Sequence, residues 1–419
     1  MIEMKYFVPG YILFYKNDGV LYIKSELLRN EIKITEPTLQ EEFYVVQRNG
    51  CYELNTPLKK FLHQQEMLLS EEEIEQTLSK AKQLMKKIFF ATIFVTEKCN
   101  FRCGYCFQSH VTTTMNSDIL EKVVGYIEEQ AQLHKIVHIS WFGGEPTLCL
   151  DSIVHASAYI KLQQNKYRFK YEASMTTNGY LLNVDSFIKL YDAGIAHYQI
   201  TLDGWNHDQT RKHVSGKPTL QIILNNLIAI SKLPKEKYSF RITLRRNILD
   251  NDKDLEWYNY IYKIFGDDCR FIISVAPVHD WGGQSVHQLD LIQPDKLNRT
   301  IDIHLNYIDK IGMLRKKLTR DLFSGVCKAS YPDSFVFRAD GKIEKCSRCL
   351  DYKENRLGQV DLEKGVLFDK EINKQWTSSC LKQECLRCTE VLRCFNMVCR
   401  KTNIIDKADA CYYQYLKNN

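Results

Sequence analysis

Little in this chain suits a membrane or a polyanion. Its 57 basic and 51 acidic residues leave a net charge of +6, too balanced for dedicated nucleic-acid binding. Residues 88–95 are apolar and β-prone, but a bilayer-spanning helix needs about 20 such residues. The opening Met-Ile-Glu-Met-Lys-Tyr-Phe-Val-Pro-Gly has no basic stretch followed by a long apolar one, so no export signal is expected. These absences predict a cytoplasmic protein with no membrane or nucleic-acid partner. A length of 419 residues, 44% hydrophobic, fits two or three domains with real cores.

Cysteine, by contrast, is abundant. Fifteen cysteines without an export signal point to metal sites rather than disulfides. Cys99, Cys103 and Cys106, spaced C-x3-C-x2-C, follow directly on the run 88–95. A strand that delivers three thiolates into one short loop suits a soft metal centre. Structural zinc wants four ligands, usually from paired C-x2-C units, so a zinc knuckle fits poorly. Three thiolates are one too few for a closed four-iron cluster, which leaves one iron open to chelate an amino and a carboxylate group. With Tyr105 preceding the last cysteine, the motif resembles that of the radical S-adenosylmethionine (SAM) superfamily. The resemblance implies a 4Fe–4S cluster on these three cysteines, with SAM bound to it.

Residues 1–87 read as a small α+β unit. Strands are expected over 10–15 and 20–24, separated by Asn17-Asp18-Gly19. A helix is expected over 41–47, a second after Asn55-Thr56-Pro57, and a third from the capping box Ser70-Glu71-Glu72-Glu73 through Met85. Strands followed by three helices suggest a winged-helix arrangement. Such a unit could be a packing embellishment or a DNA-binding element, which its acidic first turn disfavours. Its layout also resembles the recognition element of enzymes that modify ribosomally made peptides, which holds a leader peptide as an added strand.

Over residues 88–320 strand and helix alternate. Strands are expected at 90–95, 137–141, 171–175, 198–202, 240–244 and 271–275. Helices are expected at 118–132, 153–163, 186–193, 220–232, 254–264 and 295–311. Six β/α units imply an α/β fold, a partial (β/α)6 TIM-like barrel. Polar signatures fall just after the strands, at the face where such barrels build sites. In the resembled family the motif at Gly143, Gly144, Glu145 and Pro146 contacts the methionyl amino group, since glycine lets backbone approach a ligand. Thr176 and Asn178 follow the third strand. Thr201 sits beside Asp203 where the family places a hydroxyl near the ribose, and Arg211 would pair with the methionine carboxylate.

Residues 321–419 hold a second cysteine field. Cys327, Gly341 and Cys346 follow a C-x13-G-x4-C pattern, and Cys385, Cys388, Cys394, Cys399 and Cys411 come later. A zinc ribbon would permit the C-x2-C pairs. After the barrel motifs, the field resembles the SPASM domain, although four residues separate Cys394 from Cys399 where the family usually has three. The resemblance implies two auxiliary 4Fe–4S clusters, making three in all. Cys385, Cys388, Cys394 and Cys411 would close one. Cys327, Cys346 and Cys399 would serve the other, with Cys349, Cys380 or an open position as the fourth. Cys51, Cys149 and Cys269 are isolated and expected to be buried thiols.

The domain order resembles sactipeptide and ranthipeptide synthases. That implies an oxidoreductase in which a 5′-deoxyadenosyl radical takes hydrogen from a precursor peptide and a cysteine thioether forms. The expected partners are that peptide and an electron donor such as flavodoxin or ferredoxin. Carbon–carbon crosslinking and anaerobic formylglycine formation in a sulfatase are the rival reactions, and an oxygen- or iron-sensing DNA-binding protein the non-enzymatic one.

Overall fold

The computed structural model describes residues 4–250, 252, 254–317, 321–378, 381–397, 399–406 and 411. They fall into two compact units that do not follow the linear order of the chain. Met1–Lys86, Leu318–Ser330 and Thr377–Lys417 make the first; Lys87–Lys317 and Tyr331–Trp376 make the second. The expected segment 321–419 is therefore shared between them.

In the first unit, strands Ile12–Asn17, Val20–Ser25 and Glu31–Ile34 form an antiparallel sheet with the middle strand in sequence at its centre. Asn17 pairs with Val20, so Asp18 and Gly19 are a two-residue hairpin loop, both with positive φ. The third strand was not anticipated, because its four residues offer only two apolar positions. Helix Pro37–Asn49 starts earlier than expected, with proline in its first turn. Thr56 caps helix Pro57–Gln64 through the Lys59 amide. The capping box forms as read: Ser70 Oγ accepts from Glu73 N, and Glu73 Oε2 accepts from Ser70 N. That third helix ends at Gln83 and tightens into a 3-10 turn over Leu84–Lys87.

The late segment packs on this early sheet-and-helix module. Gly10 N donates to Leu386 O at 3.1 Å, and the Arg387 guanidinium lies 3.6 Å from the Phe7 ring centre. Gln383 donates to Glu71. A methyl group on Gly10 would stand 2.2 Å from Cys388 O, so only glycine permits this approach.

The second unit is an α/β fold built around the expected parallel strands. Its six barrel strands are Ile88–Thr96, Ile136–Gly143, Lys170–Thr177, Ile195–Thr201, Arg241–Ile248 and Phe271–Pro277, parallel and adjacent in that order. The intervening helices are Ser117–Ala131, Leu150–Tyr167, Val184–Asp192, Leu220–Ser231 and Glu256–Phe265, with Leu297–Lys310 after the last strand. Each overlaps its expected position. The first strand is nearly all apolar because both its faces are covered, and Phe89, Ala91, Ile93 and Val95 enter the main core. A seventh parallel strand, Ser334–Phe337, pairs along the first and continues antiparallel through Lys342–Glu344, Arg356–Asp361 and Gly365–Phe368. This pairing is why residues 331–376 belong with the barrel. No helix among the described residues is long and apolar enough to cross a membrane.

The isolated cysteines depart from expectation. Cys51 and Cys149 are half-buried, but Cys269 is exposed. Its neighbours Asp268 and Arg270 turn inward instead, joined through both carboxylate oxygens.

Candidate active site

Cys99, Cys103 and Cys106 line one cavity at the C-terminal ends of the barrel strands. Phe101–Cys103 pairs antiparallel with Arg211–His213, a two-stranded ribbon absent from the sequence reading. Phe101 is buried beneath it and anchors the loop. Burial pushes the Cys99 thiol up to about 12, with Glu145 adding to the rise. Burial also raises Cys103, to about 11, although the nearby Arg211 charge works the other way. Crowded apolar thiols of this kind favour loss of the proton only when a cation replaces it. Among the described residues no three His, Cys, Asp or Glu side chains cluster tightly enough for a single metal ion.

The Gly-Gly-Glu-Pro turn is clasped to the cysteine loop. Gly144 N donates to Thr96 O at 2.9 Å and Glu145 N to Lys98 O at 2.8 Å. A Cβ on Gly143 or Gly144 would stand 2.2 or 2.0 Å from the Thr96 or Lys98 carbonyl oxygen. The glycines thus admit the cysteine loop itself, and these two amides are spent on it. Glu145 is completely buried; its carboxylate accepts from Thr147 N, Thr147 Oγ1, Thr177 Oγ1 and Asn178 N at 2.5–3.0 Å. It is an internal clamp between the second and third strand ends. Pro146 starts the following 3-10 turn and does not line the cavity.

Tyr105 donates to Asp203 Oδ2 at 2.5 Å and accepts from Arg211 Nη1 at 2.9 Å. Asp203 also receives Thr210 Oγ1 and Asn247 Nδ2, so its carboxylate is occupied by protein donors. It lines a second cavity, which shares Tyr105, Asn247 and Val278 with the first. Arg211 is buried and its charge is favoured: burial opposes the cation, but Cys103, Tyr105 and Asp203 outweigh it. Its Nε has no hydrogen-bond partner among the described residues. Thr176, Asn178 and Thr201 line the same cavity.

Gln108, His110, Thr177, Gln199, Arg245, His279 and Arg348 line it too, and the sequence reading did not assign them. Gln199 was findable: it lies two residues from Thr201, a position already suspected, and alternate strand residues share a face. Arg348 was not, since it comes from the loop after Lys342–Glu344.

In that loop Cys346 and Cys349 are hydrogen-bonded, and this bond, ahead of the cost of burial, lowers Cys346 to about 7. Cys346 and Cys349 lie in the second unit; Cys327, Cys385, Cys388, Cys394, Cys399 and Cys411 lie in the first. There, beyond the dominant effect of burial, Cys385 feels the charges of Cys388 and Cys411, and Cys394 those of Cys411 and Cys385. These four thiols are thus neighbours. Cys327 is close enough to influence Arg400, beside Cys399. Cys380 lies outside the described residues.

Three half-buried thiols in one cavity, with an unpartnered guanidinium nitrogen beside them, fit a three-cysteine cluster carrying a carboxylate-bearing ligand. Comparison with known proteins agrees. Residues 93–256 match the radical SAM superfamily model. GTP 3′,8-cyclase of Aliarcobacter butzleri (strain RM4018) is 30% identical over 155 residues, 35% of this chain and 44% of that protein. The enzyme of the same name from Campylobacter jejuni subsp. doylei is 30% identical over 219 residues, 50% of this chain and 64% of that protein. The chain thus spans about half to two thirds of these relatives. A cysteine-type anaerobic sulfatase-maturating enzyme of Clostridium novyi (strain NT) is 24% identical over 340 residues, covering 73% and 86%. Among solved structures, native anSMEcpe with bound AdoMet superposes with a TM-score of 0.58 at 17% identity, over 79% of this chain and 95% of that one. Streptococcus suis SuiB bound to precursor peptide SuiA gives 0.53 at 15% identity, over 99% and 97%. These likenesses establish the fold alone, shared with anSMEcpe and SuiB.

Proposed function

We propose that the chain is a radical SAM maturase of a ribosomally made peptide, forming a thioether from a peptide cysteine. The observation that carries this reading is the open sheet edge of the first unit. Strand Ile12–Asn17 is an edge strand, exposed from Phe14 to Asn17. A groove beside helix Pro37–Asn49 is lined by Lys16, Gln40, Glu41, Tyr44, Val45 and Arg48. An extended leader peptide would hydrogen-bond to that edge and lay alternate side chains into the groove. The likeness to SuiB supports the reading, since it runs through this unit, whereas that to anSMEcpe leaves about a fifth of the chain uncovered.

Cys99, Cys103 and Cys106 would hold the first cluster, and Arg211 the SAM carboxylate. Bound together, these groups supply a carbon radical able to take hydrogen from an unactivated carbon. The chain's own part is positional. Tyr105, itself held by Asp203, orients Arg211, and the Glu145 clamp sets the strand ends. Cys385, Cys388, Cys394 and Cys411 would hold one auxiliary cluster. Cys346 and Cys349 would supply ligands to the other. A flavodoxin- or ferredoxin-like protein would supply electrons.

The match to a sulfatase-maturating enzyme over 340 residues favours formylglycine formation as the second reading. Anaerobic reaction of the reconstituted full chain with the peptide from the neighbouring reading frame separates the two. A peptide two hydrogens lighter, bridged at a cysteine sulfur in its fragment spectrum, supports the thioether. An unchanged peptide together with oxidation of a sulfatase cysteine to formylglycine would replace it.

A further inference from the structure

A chain of buried polar side chains in the second unit joins its two cysteine loops. Glu97, two residues before Cys99, accepts both prongs of the Arg338 guanidinium: Nε to Oε1 at 2.8 Å and Nη2 to Oε2 at 2.6 Å. Arg338 follows the seventh parallel strand, and its Nη1 donates to Glu344 Oε1 at 3.2 Å and to Asp351 Oδ1 at 2.7 Å. Glu344 Oε2 accepts from Asn355 Nδ2 at 3.2 Å. Asn355 closes the path on the second loop. Its Nδ2 donates to the carbonyls of Cys346 and Cys349, both at 2.8 Å, and its Oδ1 accepts from Cys346 N at 2.7 Å. Glu344 and Asn355 are 0% exposed, Arg338 3% and Glu97 6%.

A buried guanidinium between three carboxylates is weak evidence of stabilisation, because desolvation offsets much of its Coulomb gain. It does impose geometry, since the two-pronged fork fixes distance and plane together. One end of this path is Glu97 itself, two residues before Cys99, and at the other end Asn355 grips the backbone of Cys346 and Cys349. We propose that Glu97, Arg338, Glu344 and Asn355 form one brace that sets the position of the Cys99–Cys106 loop relative to Cys346 and Cys349. Arg338 and Asn355 are then positioning residues through which a change at one cysteine loop reaches the other. This rests on the reading that Cys99, Cys103 and Cys106 hold a SAM-binding cluster.

The test compares reconstituted wild type with Asn355→Ala and Arg338→Lys by electron paramagnetic resonance, with and without SAM. The part of the reduced spectrum that changes on adding SAM reports the Cys99–Cys106 site. If wild type shows no such part, the cluster reading itself fails. If it does, the brace predicts that Asn355→Ala, remote from that loop, shifts its g-values and its midpoint potential at unchanged iron content. Arg338→Lys, which keeps charge but loses the fork, should shift them similarly. A folded Asn355→Ala with the wild-type SAM-dependent signal overturns the proposal. Should Asn355→Ala not fold, the same signal unchanged in Arg338→Lys overturns it.

Discussion

Arg211 and Cys103 face each other directly across the two-stranded ribbon. The pairing sets a fixed cation beside the Cys103 thiol, and Arg211 lines the cavity with its buried Nε lacking a hydrogen-bond partner among the described residues. Replacing Arg211 by methionine removes a charge-assisted hydrogen bond, which should weaken SAM binding by about ten- to a hundredfold. Iron content should stay near wild type. Equilibrium dialysis of anaerobic protein against labelled SAM measures the first, and a colorimetric iron assay the second. Unaltered affinity would show that the carboxylate is held elsewhere.

Cys99, Cys103 and Cys106 changed together to alanine should abolish 5′-deoxyadenosine formation. The iron attributable to the remaining cysteines should persist. Chromatographic quantification of 5′-deoxyadenosine decides this, and wild-type cleavage in the triple variant would contradict the assignment.

Deleting residues 1–86 would be a poor test of leader binding, because Gln383, Leu386 and Arg387 pack on that module and would lose their partners. A point change is cleaner. Lys16 is exposed on the edge strand, and its amide points away from Val20–Ser25, because Asn17 and Val20 flank a two-residue loop and hydrogen-bonded pairs alternate from there. Lys16→Pro removes an edge amide and should weaken leader binding by about tenfold or more, leaving uncoupled SAM cleavage intact. Fluorescence anisotropy with a labelled leader peptide reads the change. Equal affinities would move the peptide to another surface.

His207 is fully buried and accepts a hydrogen bond from Asp203 N through Nδ1. Burial, with the Arg211 charge adding to it, lowers the His207 pKa to about 4. The folded state therefore binds this proton less readily than the unfolded chain, whose histidine titrates near 6.5. Its contribution is fully present above about 6.5 and is lost as pH falls towards 4. Stability should drop over that window by up to about 3 kcal/mol. His207→Gln should flatten the slope in urea melts taken from pH 7 to 4.5. An equally steep slope in the variant would assign the effect to other groups.

The barrel was legible because its strands and helices repeat a strong pattern, and each polar signature sits after a strand. The cysteine loop was legible from spacing alone. The close approach at the paired glycines was not: the backbone of residues 96–98 fills the space that a Cβ at Gly143 or Gly144 would take. Arg338 and Asn355 were invisible for a related reason. They lie 241 and 258 positions from Glu97 and Glu97's neighbours in a chain whose local patterns report only near contacts. The ribbon of Phe101–Cys103 with Arg211–His213 is likewise a long-range pairing of two three-residue strands, too short to leave a periodic trace.

The return of residues 377–417 to the module built by residues 1–86 has a consequence for biosynthesis. A ribosome adding about 5–20 residues per second needs roughly 15–60 s between releasing the two parts. During that interval the six barrel strands can pair, since each finds its neighbour within the preceding stretch of chain. The early module must wait with Phe7 and Gly10 uncovered until Leu386, Arg387 and Cys388 arrive to pack on them. The early module is therefore finished only after the barrel that follows it in the chain has been made, when Leu386, Arg387 and Cys388 dock on it.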